Sequence, residues 1–179
     1  KLQVQVGQIA RGADQAFRLS VSANQRLEVP AQSDVTLRKL HTTQLVLVQE
    51  DGNGHVVKAT RIQMAKALDE LFGKAAAETQ LGATLSSSPQ KVKKQGAEFR
   101  LWAPTAQAVS ACIYPDAQSP ALTHLAMKRN DITGVWHVQA PQAKQGSYYR
   151  YAVEVFVPGV GMVTNLVNDP YAVSLSANS

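Results

Sequence analysis

Residues 98–106 read Glu98-Phe99-Arg100-Leu101-Trp102-Ala103-Pro104-Thr105-Ala106. Phe99 and Leu101 alternate with Glu98, Arg100 and Trp102, the two-residue period of a strand with one buried face. Pro104 has no N–H to give to a ladder, so the strand ends there. Similar short runs recur on either side, at 81–85, 109–114, 122–127, 135–138, 147–157 and 161–167. Turn-rich stretches such as 130–134 separate them. That many short strands within about 100 residues predict a β-sandwich of immunoglobulin type.

The front of the chain carries a second set of strand signals. Leu2, Val4 and Val6 alternate with Gln3, Gln5 and Gly7, and further strand candidates lie at 17–21, 26–29, 35–40 and 43–48. Asp51-Gly52-Asn53-Gly54 separates the last of these from His55-Val56-Val57-Lys58-Ala59, which predicts a hairpin. A calcium loop would need a bidentate Glu where Thr60 and Arg61 stand, so the turn is the better reading. From 62 to 72 the period becomes helical. Ile62, Ala65, Leu68, Leu71 and Phe72 share a face opposite Lys66, Asp69 and Glu70, and Gly73 suits a C-cap. The fold expected is mainly β, with two small β-sandwich domains, 1–78 and 79–179, joined by one short α-helix.

Composition narrows the function classes. The 179 residues are 45% hydrophobic and 17% charged, within the range of folded domains. The net charge of +5 invites a search for nucleic-acid contacts. The one basic cluster, Lys91-Val92-Lys93-Lys94, has no neighbouring aromatic for base stacking and reads as a solvated loop. Neither a nucleic-acid partner nor a membrane span is expected. Cys112 is the single cysteine, which excludes an internal disulfide and a multi-cysteine metal site. Its segment, Val109 to Tyr114, offers no histidine, so a buried thiol is expected. His41, His55, His124 and His137 have no acidic or cysteine neighbour at ligand spacing. No metal and no cofactor are expected. Lys1 and Ser179 read as cuts within a longer polypeptide.

Four ordered stretches carry a family resemblance. They are Phe99 to Ala106, Gly134-Val135-Trp136, Gly146-Ser147-Tyr148-Tyr149-Arg150-Tyr151, and Asp169-Pro170-Tyr171-Ala172-Val173-Ser174-Leu175-Ser176-Ala177-Asn178. Together they resemble the carbohydrate-binding module family 48 domain of glycoside hydrolase family 13 enzymes. The last resembles type I pullulanases and limit dextrinases in particular. Leu27-Glu28-Val29-Pro30, Gln44 to Val48 and Leu68 to Phe72 resemble the later half of the pullulanase second N-terminal domain. The resemblance implies a non-catalytic accessory or docking region of an α-1,6-glucan debranching enzyme acting on starch, pullulan, glycogen or limit dextrins. The partner implied is a catalytic (β/α)8 barrel in the same polypeptide. Such a barrel takes about 250 residues, more than this chain holds, so no catalytic residues are expected within it. Relatives of this type are often exported bacterial proteins, which gives the expectation for localisation.

Two alternatives stay open. An independent α-glucan-binding module would stack sugar rings on exposed aromatics. Trp102 shares its strand face with Glu98 and Arg100 and so suits a surface, whereas Trp136 shares a face with Val138 and suits a core. By resemblance, Arg150 stands where glycogen-binding relatives place a basic donor to sugar hydroxyls, and Tyr148 shares its face. The candidate ligand-binding residues are therefore Trp102, Arg150, Trp136 and Tyr148. The relatives' second surface tryptophan has no counterpart in 161–168, which counts against tight starch binding. The other alternative is an unrelated immunoglobulin-like interaction domain.

Overall fold

The computed structural model describes residues 6–11, 14–20, 34–43, 45–61, 65–77, 79–85, 96–157 and 159–176. The strand candidate at 26–29, the early alternation at Leu2 and Val4, and the basic cluster at 91–94 lie outside them. The chain is mainly β and divides into two compact units, Lys1–Leu71 and Phe72–Ser179.

The first unit holds β1 (Val6–Arg11), β2 (Asp14–Ser20), α1 (Asp34–Leu40), β3 (Leu45–Glu50) and β4 (Val56–Arg61). Its strands lie in sequence order in one sheet. The β1–β2 and β3–β4 pairs are antiparallel, whereas β2 and β3 run parallel. A parallel pair needs a crossover, and α1 lies in it.

Residues 35–40 therefore form a helix, and the expectation of a strand there is corrected. A short apolar run does not by itself separate the two states. Here the end charges favour the helix: Asp34 lies in the first turn and Arg38 and Lys39 in the last, matching the helix dipole. Arg38 meets Asp34 one turn back at 3.7 Å and donates through Nε and Nη2 to the Leu71 carbonyl. Leu40 is buried while Val35 faces solvent.

The Asp51–Gly54 turn forms as expected. Asp51 Oδ1 accepts the backbone N–H groups of Asn53 and His55, each at 2.9 Å. These bonds, that from His55 foremost, hold the Asp51 carboxyl below its ordinary pKa. Asp51 Oδ2 also lies 3.2 Å from His55 Nδ1, so His55 does have an acidic neighbour. The turn folds a side chain four positions away back onto the carboxylate.

A helical run covers α2 (Ala65–Leu68), a π-helical turn (Asp69–Gly73) and α3 (Lys74–Ala77). It continues past Gly73, which is not a C-cap. Phe72 and Ala76, four positions apart, are both buried, so the apolar face outlasts the glycine. Asp69 and Glu70 are exposed, as the helical period predicts.

The second unit contains two four-stranded sheets. The strands are β5 (Gly82–Leu85), β6 (Ala97–Trp102), β7 (Ala108–Tyr114), β8 (Thr123–Ala126), β9 (Lys128–Arg129), β10 (Val135–Ala140), β11 (Tyr148–Val157) and β12 (Gly161–Val167). One sheet runs β5-β6-β10-β9 and the other β12-β11-β7-β8. All pairings within them are antiparallel.

Alternation decides the core of this sandwich. Ala97, Phe99 and Leu101 of β6 and Trp136 and Ala140 of β10 meet Val109, Ala111 and Ile113 of β7 and Tyr151 of β11 in one cluster. Phe99 and Tyr149 cross the inter-sheet space with ring centroids 4.8 Å apart, tilted by 59°. Rings in that arrangement add to the area they bury. Phe72 packs where Pro104 and Gly134 approach one another: a Cβ built on Gly134 would lie 2.7 Å from Pro104 Cβ and 3.1 Å from Phe72 Cδ1.

Candidate functional site

The two tryptophans brace neighbouring turns. Trp136 is buried in the core cluster, and its Nε1–H donates to the Ala103 carbonyl at 2.9 Å. Trp102 lies half-buried on the opposite face of the same sheet and donates Nε1–H to the Thr133 carbonyl at 3.0 Å. Trp136 is therefore not a surface residue, and its place among the binding candidates is corrected. Trp102 does sit beside Arg100 and Glu98, which pair at 2.9 Å, but its one donor already serves the fold.

Arg150 and Tyr148 project from the other sheet. Tyr148 is exposed, and Arg150 stands across from Cys112 in the register of β11 with β7. Arg150 Nη2 donates to the Leu166 carbonyl at 3.0 Å, while its buried Nε has no hydrogen-bond partner among the described residues. Trp102 and Arg150 thus lie on different sheets, with the core between them.

Cys112 has a partner that local sequence could not show. It is fully buried on the outward side of β7, and its Sγ lies 3.2 Å from Nδ1 of His124 on β8. Strand pairing sets Cys112 directly across from His124, twelve positions away. Burial is the main cause raising the thiol pKa, opposed by the Ala152 backbone and Arg150. That favours an inert thiol over a nucleophile.

A cleft of about 630 Å³ lies in the second unit. Tyr114, Tyr148 and Arg150 form part of one wall, and Asp116 and Lys144 come from the adjoining loops. Asp116 is committed to its own loop, accepting from Ser119 Oγ at 2.7 Å and from the Gln118 backbone at 2.9 Å. Those bonds, the Ser119 hydroxyl first, hold its carboxyl below the ordinary range. The segment after β12 also lines the cleft, including Asp169, Tyr171, Val173 and Leu175.

Asp169 caps a turn, its Oδ1 accepting the Tyr171 backbone N–H at 2.8 Å. It also does more. Oδ2 accepts the Tyr149 hydroxyl at 2.7 Å and lies 3.4 Å from the Tyr151 hydroxyl, in a residue only 5% exposed. Both phenol pKa values are pushed up, first by burial and then by Asp169. The clue in sequence was two tyrosines, 149 and 151, on the inner face of a long strand: buried hydroxyls need partners. Beyond this anchor the chain is open to solvent, with Tyr171 52% exposed, Leu175 65% exposed and Val173 fully exposed.

Comparison with known proteins accounts for this arrangement. Residues 80–172 match the carbohydrate-binding module 48 (isoamylase N-terminal domain) family, and residues 1–70 match the pullulanase N2 domain. Pullulanase 1, chloroplastic, of Arabidopsis thaliana is 35% identical over 146 residues, covering 81% of this chain and 14% of the relative. A pullulanase of Klebsiella pneumoniae is 37% identical over 128 residues, covering 71% of this chain and 11% of the relative. The crystal structure of PulA from Klebsiella oxytoca superposes over 99% of this chain and 16% of its own, with a TM-score of 0.73 and 28% identity. The chain therefore spans about one seventh or less of the curated relatives' length. It resembles their non-catalytic N-terminal domains. Through its sandwich the chain belongs to the carbohydrate-binding module 48 family, and a pullulanase N2 domain stands ahead of that module.

Proposed function

We propose that this chain is the docking region of a pullulanase-type debranching enzyme, and that it positions a catalytic barrel of the same polypeptide without catalysing hydrolysis itself. The carrying observation is the segment from Tyr171 to Leu175, which leaves a firmly anchored Asp169 and exposes three large apolar side chains in succession at alternate positions. A neighbouring domain that covered them would bury apolar surface worth about 25 cal/mol per Å². The acidic residues of the second unit support the non-catalytic part of this reading. Glu98 pairs with Arg100, Asp131 with Arg129, and Asp169 with two tyrosines, so these carboxylates serve the fold.

The test compares residues 1–179 with the full polypeptide. Pullulan hydrolysis is expected from the full polypeptide alone. Val173→Asp with Leu175→Asp should lower the melting temperature of the full polypeptide and leave that of residues 1–179 unchanged. Hydrolysis by residues 1–179, or equal melting of the full polypeptide and its double variant, would refute the proposal.

A second reading, α-glucan binding by the module itself, draws support from the Tyr114, Tyr148 and Arg150 wall of the cleft. Aromatic rings beside a guanidinium suit sugar stacking and hydroxyl recognition. Titration with maltooligosaccharides distinguishes this reading from docking alone.

A further inference from the structure

The segment after β12 is fixed at its root and open beyond it. Three hydrogen bonds converge on the Asp169 carboxylate, from Tyr149, Tyr151 and the Tyr171 backbone. A fourth, from Ala172 N–H to the Asp169 carbonyl at 3.1 Å, closes the turn. Gly82 of β5 completes the seat. A Cβ there would lie 3.1 Å from Tyr171 Cβ, and its φ of +90° is one that glycine adopts without strain. The tyrosines are themselves immobilised: Tyr151 is fully buried, and Tyr149 packs against Phe99 and Tyr151. Farther along, Val173 and Leu175 are exposed.

We propose that Asp169 is a latch that fixes the root of a strap, residues 170–176, and so sets both the direction in which the chain leaves the sandwich and the closure of the adjoining cleft. Residues of the strap line that cleft together with Tyr148 and Arg150. Releasing its root would loosen the turn at Tyr171 and Ala172 while the two sheets remained paired. Asp169 is thus a positioning residue that acts through Tyr171 and the segment after it. Its role does not depend on whether the module binds glucan or docks a barrel.

Amide hydrogen exchange on residues 1–179 tests the latch. In Asp169→Ala the Tyr171 and Ala172 amides should exchange at least about tenfold faster, with β7 and β11 unchanged, because local opening is separable from global unfolding. Tyr149→Phe, which keeps the ring and removes one hydroxyl, should speed the same two amides by a smaller factor. If Asp169→Ala does not fold, the result with Tyr149→Phe decides. Unchanged exchange at 171 and 172, or equal acceleration across β7 and β11, would overturn the proposal.

Discussion

Trp102 and Arg150 stand on different sheets of one sandwich, the first on β6 and the second on β11, with the hydrophobic core between them. The separation puts the two side chains on independent surfaces. Any α-glucan affinity should therefore fall in Arg150→Ala and persist in Trp102→Ala. Electrophoresis in gels containing starch reads this directly. Equal loss in both variants would contradict the separation.

The tryptophans should differ in what they do for stability. Trp136→Ala empties part of the core and should cost about 3–5 kcal/mol, enough to unfold a small domain. Trp136→Phe fills most of that volume but leaves the Ala103 carbonyl without its indole partner, at a cost of about 1–3 kcal/mol. Urea titration followed by circular dichroism would rank the two.

Gly134 tests the packing around Phe72. Its φ is +69°, and an added Cβ would strike Pro104 and crowd Phe72. Gly134→Ala is expected to destabilise the second unit by about 1–3 kcal/mol. Thermal melting near that of the unsubstituted chain would show that the turn has more room than the distances allow.

Alkali should weaken the second unit. The Tyr149 and Tyr151 phenols have folded pKa values raised above the ordinary 10.0, with burial as the main cause. Above pH ~10 the unfolded chain binds fewer protons at these two sites than the folded chain, so stability falls as pH rises. Their contribution is complete below pH ~10 and is lost progressively towards the folded values. Absorbance of phenolate should show Tyr149 and Tyr151 ionising above pH ~10, together with unfolding.

Cys112 should resist modification. It is fully buried, and its thiol pKa is raised by that burial. A disulfide reagent such as dithionitrobenzoate should react slowly with the native chain and fully in urea. Prompt reaction in the native state would show instead that His124 activates the thiol.

The sequence by itself determined the periods. Alternation across Phe99 to Trp102, Val135 to Val138 and Tyr148 to Glu154 fixed which face of each strand turns inward, because successive strand side chains point oppositely. It also fixed the turn at Asp51, whose bonds span four residues. Alternation says nothing about which strands share a sheet. Only the tertiary structure decided that Trp102 and Arg150 are apart, that Cys112 meets His124, and that Asp169 reaches Tyr149 across 20 positions. It likewise made residues 35–40 a helix, because a parallel β2–β3 pairing requires a crossover. Local pattern carries the sidedness of an element, whereas its partners follow from long-range pairing that no short window of sequence contains.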